Sequence, residues 1–173
     1  MNGRCVLAID TSTTRASLAV VQDGRVVFEE VFVSKRSHNS QLFAPLTAAL
    51  DAAGDDLGLV VVGLGPGSYT GVRIAIAAGH GVALSRGVPL VGWSSLAAAE
   101  GVEEMDYRVI GDARRGRLYV AGVKAGELVG VTEIVTREEG LKRVADGGGP
   151  PWMSFDDKCP LTDEGSVRLV RPS

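Results

Sequence analysis

Short apolar runs alternate with polar turns through the first half of the chain, and their lengths predict a mixed α/β fold. Five runs have the length of strands and lie at 5–9, 16–21, 26–33, 59–64 and 88–92. A helix that Gly54 ends is predicted from apolar residues at helical spacing, which are Leu42, Phe43, Leu46, Ala49, Leu50 and Ala53. A second helix is expected over 74–84, closing near Arg86-Gly87, and a third from Ser94 or Ser95 to about Glu100.

The beginning of this pattern recurs at an offset of 102 residues. Asp10 ends a strand, a polar turn and the strand at 16–21 follow, and Gly24 lies in the next turn. In the second half, Asp112 ends a strand at 109–111, strands at 118–123 and 127–134 follow, and Gly126 lies in the turn between them. This internal similarity predicts a duplicated β-hairpin lobe.

The remainder of the second half offers fewer elements. A short amphipathic helix is expected to reach Ala145, 147–151 breaks regular structure, and 164–171 is expected to supply one final strand. We therefore predict a first lobe at 1–103 and a second lobe at 104–173, the second made of a β-hairpin and a helix.

Composition limits the classes of function. The 173 residues are 45% hydrophobic with a net charge of −3, which allows a core but gives no broad electrostatic surface for nucleic acid. The first apolar run is too short for the core of a signal peptide, and no run reaches transmembrane length without interruption. Cys5 is interpreted as a reduced, buried thiol. We expect a cytoplasmic protein with no membrane contact.

The segment at 65–73 concentrates the candidate chemistry. A glycine-rich turn between a strand and a helix presents backbone N–H groups and a positive helix end to an anion, although no Gly-Lys-Ser/Thr sequence ends this one. It also suits a protein contact, because tyrosine is a natural interface anchor and the small side chains that follow permit close approach. The predicted contact surface covers residues 65–84, with help from the helix at 41–53. The residues singled out within it are Gly65, Pro66, Gly67, Ser68, Tyr69, Thr70, Gly71, Val72, Arg73, Ala75, Ala78, Gly79 and Val82.

A candidate nucleotide site comprises Asp10, Thr11, Ser12, Asp112 and Arg114. In two-lobed phosphotransfer folds an acidic residue after the first strand orients Mg²⁺ or water. The two arginines of the matching turn could bind phosphate, and they could equally form salt bridges to a partner or remain solvated. Ser12, however, occupies the place where a glycine would let the backbone approach a phosphate. The alternative is that Asp10 and Asp112 cap their turns by accepting hydrogen bonds from nearby N–H groups.

Metal and nucleophile chemistry have little support in the sequence. The two histidines, His38 and His80, form no pair at the helical spacing of a zinc site, and no Gly-x-Ser-x-Gly sequence is present. We predict no catalytic residue, no metal and no cofactor.

Five motifs together closely resemble the bacterial TsaB (YeaZ) family, the accessory subunit in tRNA threonylcarbamoyladenosine synthesis. They lie at 7–12 (Leu-Ala-Ile-Asp-Thr-Ser), 37–41 (Ser-His-Asn-Ser-Gln), 65–73 (the glycine motif), 92–96 (Gly-Trp-Ser-Ser-Leu) and 112–116 (Asp-Ala-Arg-Arg-Gly). The resemblance is dense from residue 5 to about 122.

This resemblance implies a two-lobed actin/Hsp70-like (ASKHA) fold with a ribonuclease-H-like sheet in each lobe. It implies a non-catalytic subunit that binds the catalytic TsaD subunit and supports threonylcarbamoyl transfer to adenosine 37 of tRNA. A TsaE-like ATPase would join through the complex, tRNA would be touched only indirectly, and without TsaD the first lobe would form a homodimer through the same surface. The positions of the candidate nucleotide site would then be vestigial.

The chain departs from the family pattern in length. It is shorter than typical members, which leads us to expect a truncated second lobe, and the tail from residue 147 matches nothing in the pattern. Two other functions stay open at this point. One is a nucleotide-dependent phosphotransferase or ATPase of the same superfold, and the other is a metallopeptidase, against which the shortage of histidines argues.

Overall fold

Alternating side chains in the first apolar run form the central strand of a five-stranded sheet. Cys5, Leu7 and Ile9 are buried while the residues between them face the other side, as the period of two in a strand requires. The computed structural model describes residues 5–33, 38–99, 101, 105–156, 160–161 and 167–170. The strands of the first sheet are β1 (Cys5–Asp10), β2 (Arg15–Gln22), β3 (Arg25–Val33), β4 (Leu57–Gly63) and β5 (Leu90–Trp93). Their spatial order is β3-β2-β1-β4-β5, with β4 and β5 parallel to β1.

Two helices pack against this sheet, α1 (His38–Ala53) and α2 (Tyr69–Arg86). Their apolar residues join the core that also contains Leu7, Ile9 and Val60. The second helix begins at Tyr69, earlier than the predicted start at 74, because the Ser68 hydroxyl accepts a hydrogen bond of 3.2 Å from the N–H of Gly71 and caps the helix. The predicted end is confirmed, since Gly87 closes the helix in a left-handed conformation.

The prediction of a helix that starts at Ser94 or Ser95 is wrong. The structure has a short 3₁₀ turn at Ser95–Ala97, and Glu100 lies outside the described residues. The Ser95 hydroxyl accepts a hydrogen bond of 2.9 Å from the N–H of Gly65, so it serves the glycine loop and does not cap a helix of its own.

The second sheet repeats the order of the first. Its elements are β6 (Tyr107–Arg114), β7 (Arg117–Lys124), β8 (Glu127–Thr136), α3 (Arg137–Ala145), β9 (Trp152–Ser154) and β10 (Val167–Leu169), and its strands follow the order β10-β9-β6-β7-β8. Since β7 and β8 begin 102 residues after β2 and β3, the predicted duplication is confirmed.

The second lobe holds more than the predicted hairpin and helix. The final strand expected within 164–171 is present as β10, and β9 joins it to β6 through parallel pairing. A strand of three residues such as β9 is too short to show a periodic signal in the sequence.

Contacts among the described residues divide the chain into one unit that ends at Ser95 and another that starts at Leu96. This division falls before the predicted boundary at 103, because Leu96 and Ala99 pack with Tyr107 in the core of the second unit. The Tyr107 hydroxyl also donates a hydrogen bond of 2.7 Å to the carbonyl of Leu96. The functional roles assigned to the two lobes stay predictions. Within the described part of the chain, no helix combines the length and the apolar character needed to cross a membrane.

Candidate functional site

The glycine loop lies directly on the turn that follows β1. A Cβ atom at Gly67 would collide with the carbonyl oxygen of Ser12, and one at Gly71 would collide with the carbonyl oxygen of Thr11. The N–H of Ser68 donates a hydrogen bond of 2.6 Å to the Ser12 carbonyl. Glycine is therefore required at 67 and 71 by contact within the protein itself.

Side-chain hydroxyls on both flanks of the loop hold it in place. The hydroxyl of Thr11 donates to the carbonyl of Gly71 at 2.6 Å, in a buried environment. On the other flank the N–H of Gly65 donates to the Ser95 hydroxyl at 2.9 Å, and the N–H of Ser95 returns a bond to the Gly65 carbonyl at 3.1 Å. We call Thr11, Ser12 and Ser95, with the loop residues 65–71 that they hold, the loop clamp.

Three of the backbone donors on which the anion interpretation depends are engaged inside this clamp. The N–H groups of Gly65, Ser68 and Gly71 bond to Ser95, Ser12 and the Ser68 hydroxyl, respectively. An incoming phosphate would have to displace these bonds before it could use the donors. The geometry favours a structural role for the loop.

Asp10 is likewise engaged with its own surroundings. One carboxylate oxygen accepts a hydrogen bond of 2.7 Å from the N–H of Ser12, and the other lies so close to Gly63 that a Cβ there would overlap with it. This is the turn-capping arrangement that the sequence left open as the alternative to a nucleotide ligand.

Asp112 and Arg114 lie in the second unit and form a similar turn. The Asp112 carboxylate accepts a hydrogen bond of 2.7 Å from the N–H of Arg114, and its own N–H donates to Asp156 at 2.7 Å. An open pocket of about 680 Å³ adjoins them, and Arg114 is not among its lining residues. Among the described residues, its charged lining consists of two carboxylates and two guanidinium groups, those of Asp112, Asp156, Arg117 and Arg137, and this set favours neither an anion nor a cation.

The histidines do not assemble into a metal site in the part of the chain that is described. His80 lies exposed on α2, and the side chain of His38 is outside the described residues. No group of three or more His, Cys, Asp or Glu side chains among the described residues is placed to hold a metal ion.

The two faces of α2 have different partners. Ala75, Gly79 and Val82 are buried against the sheet, and a Cβ at Gly79 would press on the side chains of Val60 and Val62. The predicted contact surface is revised accordingly: these three residues pack the helix against its own sheet, and an outside partner cannot reach them. Ala78 is half-buried against the same core.

The opposite face of α2 is exposed and largely apolar. Tyr69 and Leu84 are 76% and 77% exposed, and the Arg73 guanidinium lies 5.4 Å from the centre of the Tyr69 ring. We call this stripe, in which residues recur every three or four positions, the α2 outer face; it comprises Tyr69, Arg73, Ile76, His80 and Leu84.

The sequence singled out Tyr69 and Arg73 on the contact surface, whereas Ile76 and Leu84 lay within the predicted range 65–84 without being named. The signal that would have found them is their helical spacing from Tyr69, on the side opposite the small residues. Of the other predicted contact residues, Thr70 is exposed and Val72 is half-buried, and exposed Phe43 on α1 is an apolar residue near the start of that helix.

Comparison with known proteins relates the chain to a group of tRNA-modification proteins. A family model described as "TsaD: tRNA N6-adenosine threonylcarbamoyltransferase" matches residues 27–149. An uncharacterized protein of Mycobacterium tuberculosis is 45% identical over 123 residues, which cover 67% of this chain and 57% of the relative. The tRNA threonylcarbamoyladenosine biosynthesis protein TsaB of Bacillus subtilis is 37% identical over 121 residues, which cover 66% of this chain and 52% of the relative. The chain thus spans little more than half the length of these relatives.

A solved structure shows the same relationship. YeaZ from Pseudomonas aeruginosa matches with a TM-score of 0.69 at 29% identity, over 87% of this chain and 74% of that one. The match extends across both units, in agreement with the repeated sheet order.

Proposed function

The chain belongs to the TsaB (YeaZ) family, and from this membership we propose that it is a non-catalytic subunit that binds and supports a TsaD-type catalytic subunit. The reaction supported would be threonylcarbamoyl transfer to adenosine 37 of tRNA. The observation that carries the proposal is the α2 outer face, an exposed stripe with the apolar side chains of Tyr69, Ile76 and Leu84, on a helix whose first turn is held by the loop clamp. Large apolar side chains that recur on one exposed helix face favour a protein contact.

The non-catalytic part of the proposal is supported by the state of the candidate nucleotide residues. One oxygen of the Asp10 carboxylate and three N–H groups of the glycine loop, those of Gly65, Ser68 and Gly71, are bonded within the first unit, so a phosphate would have to displace these bonds to use those groups. We find no observation that favours a phosphotransferase or a metallopeptidase over this interpretation.

The proposed contact places the TsaD-type subunit on the α2 outer face. Tyr69, Ile76 and Leu84 would contribute by burial of apolar surface, at roughly 25 cal/mol per Å² before the costs of association. In the absence of that subunit a second copy of this chain would cover the face. A TsaE-type ATPase would join through the complex, tRNA would be contacted indirectly, and the work would take place in the cytoplasm.

Reconstitution of the transfer reaction tests this function. The TsaD-type subunit, the TsaE-type ATPase and tRNA of the same organism are assayed for threonylcarbamoyl transfer with and without the chain. We expect transfer to depend on the chain. Equal transfer without it would refute the proposal, and tight Mg²⁺–ATP binding to the chain alone that is lost in Asp10→Ala would favour the ATPase alternative.

A further inference from the structure

We propose that Thr11 is a positioning residue for the partner contact, an inference that rests on the proposed function. Its hydroxyl would hold the first turn of α2 in the orientation that presents Tyr69 and Arg73. Thr11 lies outside the α2 outer face and is completely buried, so it would act through the helix and not by touching the partner.

The hydrogen bond from Thr11 is additional to the bonds that form the helix. Its acceptor is the carbonyl of Gly71, which lies inside the first turn of α2. In an α-helix this carbonyl already accepts from the N–H four residues later, here that of Ala75. A second donor at 2.6 Å is therefore unnecessary for helix formation, and its effect is to fix the turn to the end of β1.

The side chains that would benefit, those of Tyr69 and Arg73, are both exposed. Tyr69 is mostly exposed, and its close neighbour is Arg73, which is itself exposed. Their positions therefore follow the backbone of the first turn. A side-chain anchor that is already ordered before binding loses less entropy when the partner arrives.

The Thr11 hydroxyl can be removed without removing the other contacts of the loop clamp. The bond from the Ser68 N–H to the Ser12 carbonyl and the close approach of Gly71 to the Thr11 carbonyl involve only the backbone of the turn. Thr11→Val keeps the branched shape and leaves the Gly71 carbonyl with its helical partner, so the fold should persist. Thr11→Ser restores the donor.

The experiment compares Thr11→Val, Thr11→Ala, Thr11→Ser and the control Thr13→Val. Thr13 lies in the same turn, and its hydroxyl donates to the carbonyl of Arg15 at 2.8 Å and accepts from the N–H of Arg15 at 3.2 Å. Affinity for the TsaD-type subunit and hydrogen exchange of the amides in 69–75 are measured at a temperature below the melting temperature of every variant. We expect roughly tenfold weaker binding and faster exchange for Thr11→Val and Thr11→Ala, the change that loss of one buried hydrogen bond predicts. Thr11→Ser and Thr13→Val should behave as the wild type.

The outcomes separate this inference from the proposed function. If the wild type binds but Thr11→Val binds equally well, the positioning role is refuted while the function stands. If Thr13→Val weakens binding as much as Thr11→Val, the effect belongs to general loss of stability and the inference also fails. If the wild type does not bind, the proposed function fails. Independently of binding, unchanged hydrogen exchange in the first turn of α2 in Thr11→Val would refute the anchoring role of Thr11.

Discussion

At the scale of single residues, the loop clamp depends on glycines that lack a Cβ atom as well as on hydrogen bonds. Gly67 and Gly71 let two backbone segments meet where any Cβ would intrude on a carbonyl oxygen. Gly81 lies in the same helix as Gly71, yet a Cβ there would meet nothing within 4 Å. The two helical glycines therefore differ in their surroundings while sharing the same helical backbone.

This difference predicts opposite effects of the same substitution. Gly71→Ala should lower the free energy of unfolding by about 1–3 kcal/mol, because the new methyl group overpacks the contact with Thr11. Gly81→Ala should raise it by up to about 1 kcal/mol, because alanine favours the helix and has room there. Chemical denaturation of both variants measures the changes. Stabilisation by Gly71→Ala would contradict the contact described for the loop clamp.

At the scale of elements, the sequence predicted features that depend on local geometry, such as strands and turns. It did not predict features that depend on contacts between residues distant in the sequence. The duplicated hairpins were predictable because turn residues and strand lengths recur at a fixed offset. The two faces of α2 were not separated, because small residues suit close approach to a sheet and to a partner helix equally well. The role of Ser95 also escaped prediction, since its acceptor function depends on Gly65, which lies far away in the sequence.

The hairpin β6–β7 of the second unit contains a tyrosine, Tyr119, whose phenol is less readily ionised in the folded state than in the unfolded state. Tyr119 on β7 packs over Gly111, and burial raises the pKa of its phenol, with the carboxylates of Asp156 and Asp112 adding to the effect. The folded state therefore favours the neutral phenol. Its contribution to stability is present below the ordinary tyrosine pKa of about 10 and is lost as the pH rises above that value.

Tyr119→Phe tests whether stability is lost at this position as the pH rises. The free energy of unfolding of the wild type should fall more steeply than that of the variant between about pH 9 and pH 11, because only the wild type gains an ionisable phenol at this position on unfolding. Denaturant titrations at the two pH values give the comparison. Parallel losses in the two proteins would show that the phenol of Tyr119 ionises equally in the folded and unfolded states.

At the scale of the whole molecule, the chain has two units whose sheets share the same strand order. The motifs by which the family is recognised are distributed over both units. The first unit carries the glycine loop and the α2 outer face, and the second carries the matching turn at Asp112. The family was identifiable from motifs because the contacts around the loop demand particular residues at 65–71. The proposed partner surface was less visible, since the fold does not demand a particular residue at an exposed position such as Leu84.

The central claim is that the α2 outer face binds the TsaD-type subunit, and a binding titration with two matched variants tests it most directly. Leu84→Arg places a charge on that face, whereas Val131→Arg places one at a similarly exposed position on β8, so both variants should retain the stability of the wild type. We expect the wild type and Val131→Arg to bind with equal affinity and Leu84→Arg to bind at least about tenfold more weakly, because a charge would be buried in the contact. Equal affinity of all three proteins would show that the α2 outer face does not bind the TsaD-type subunit.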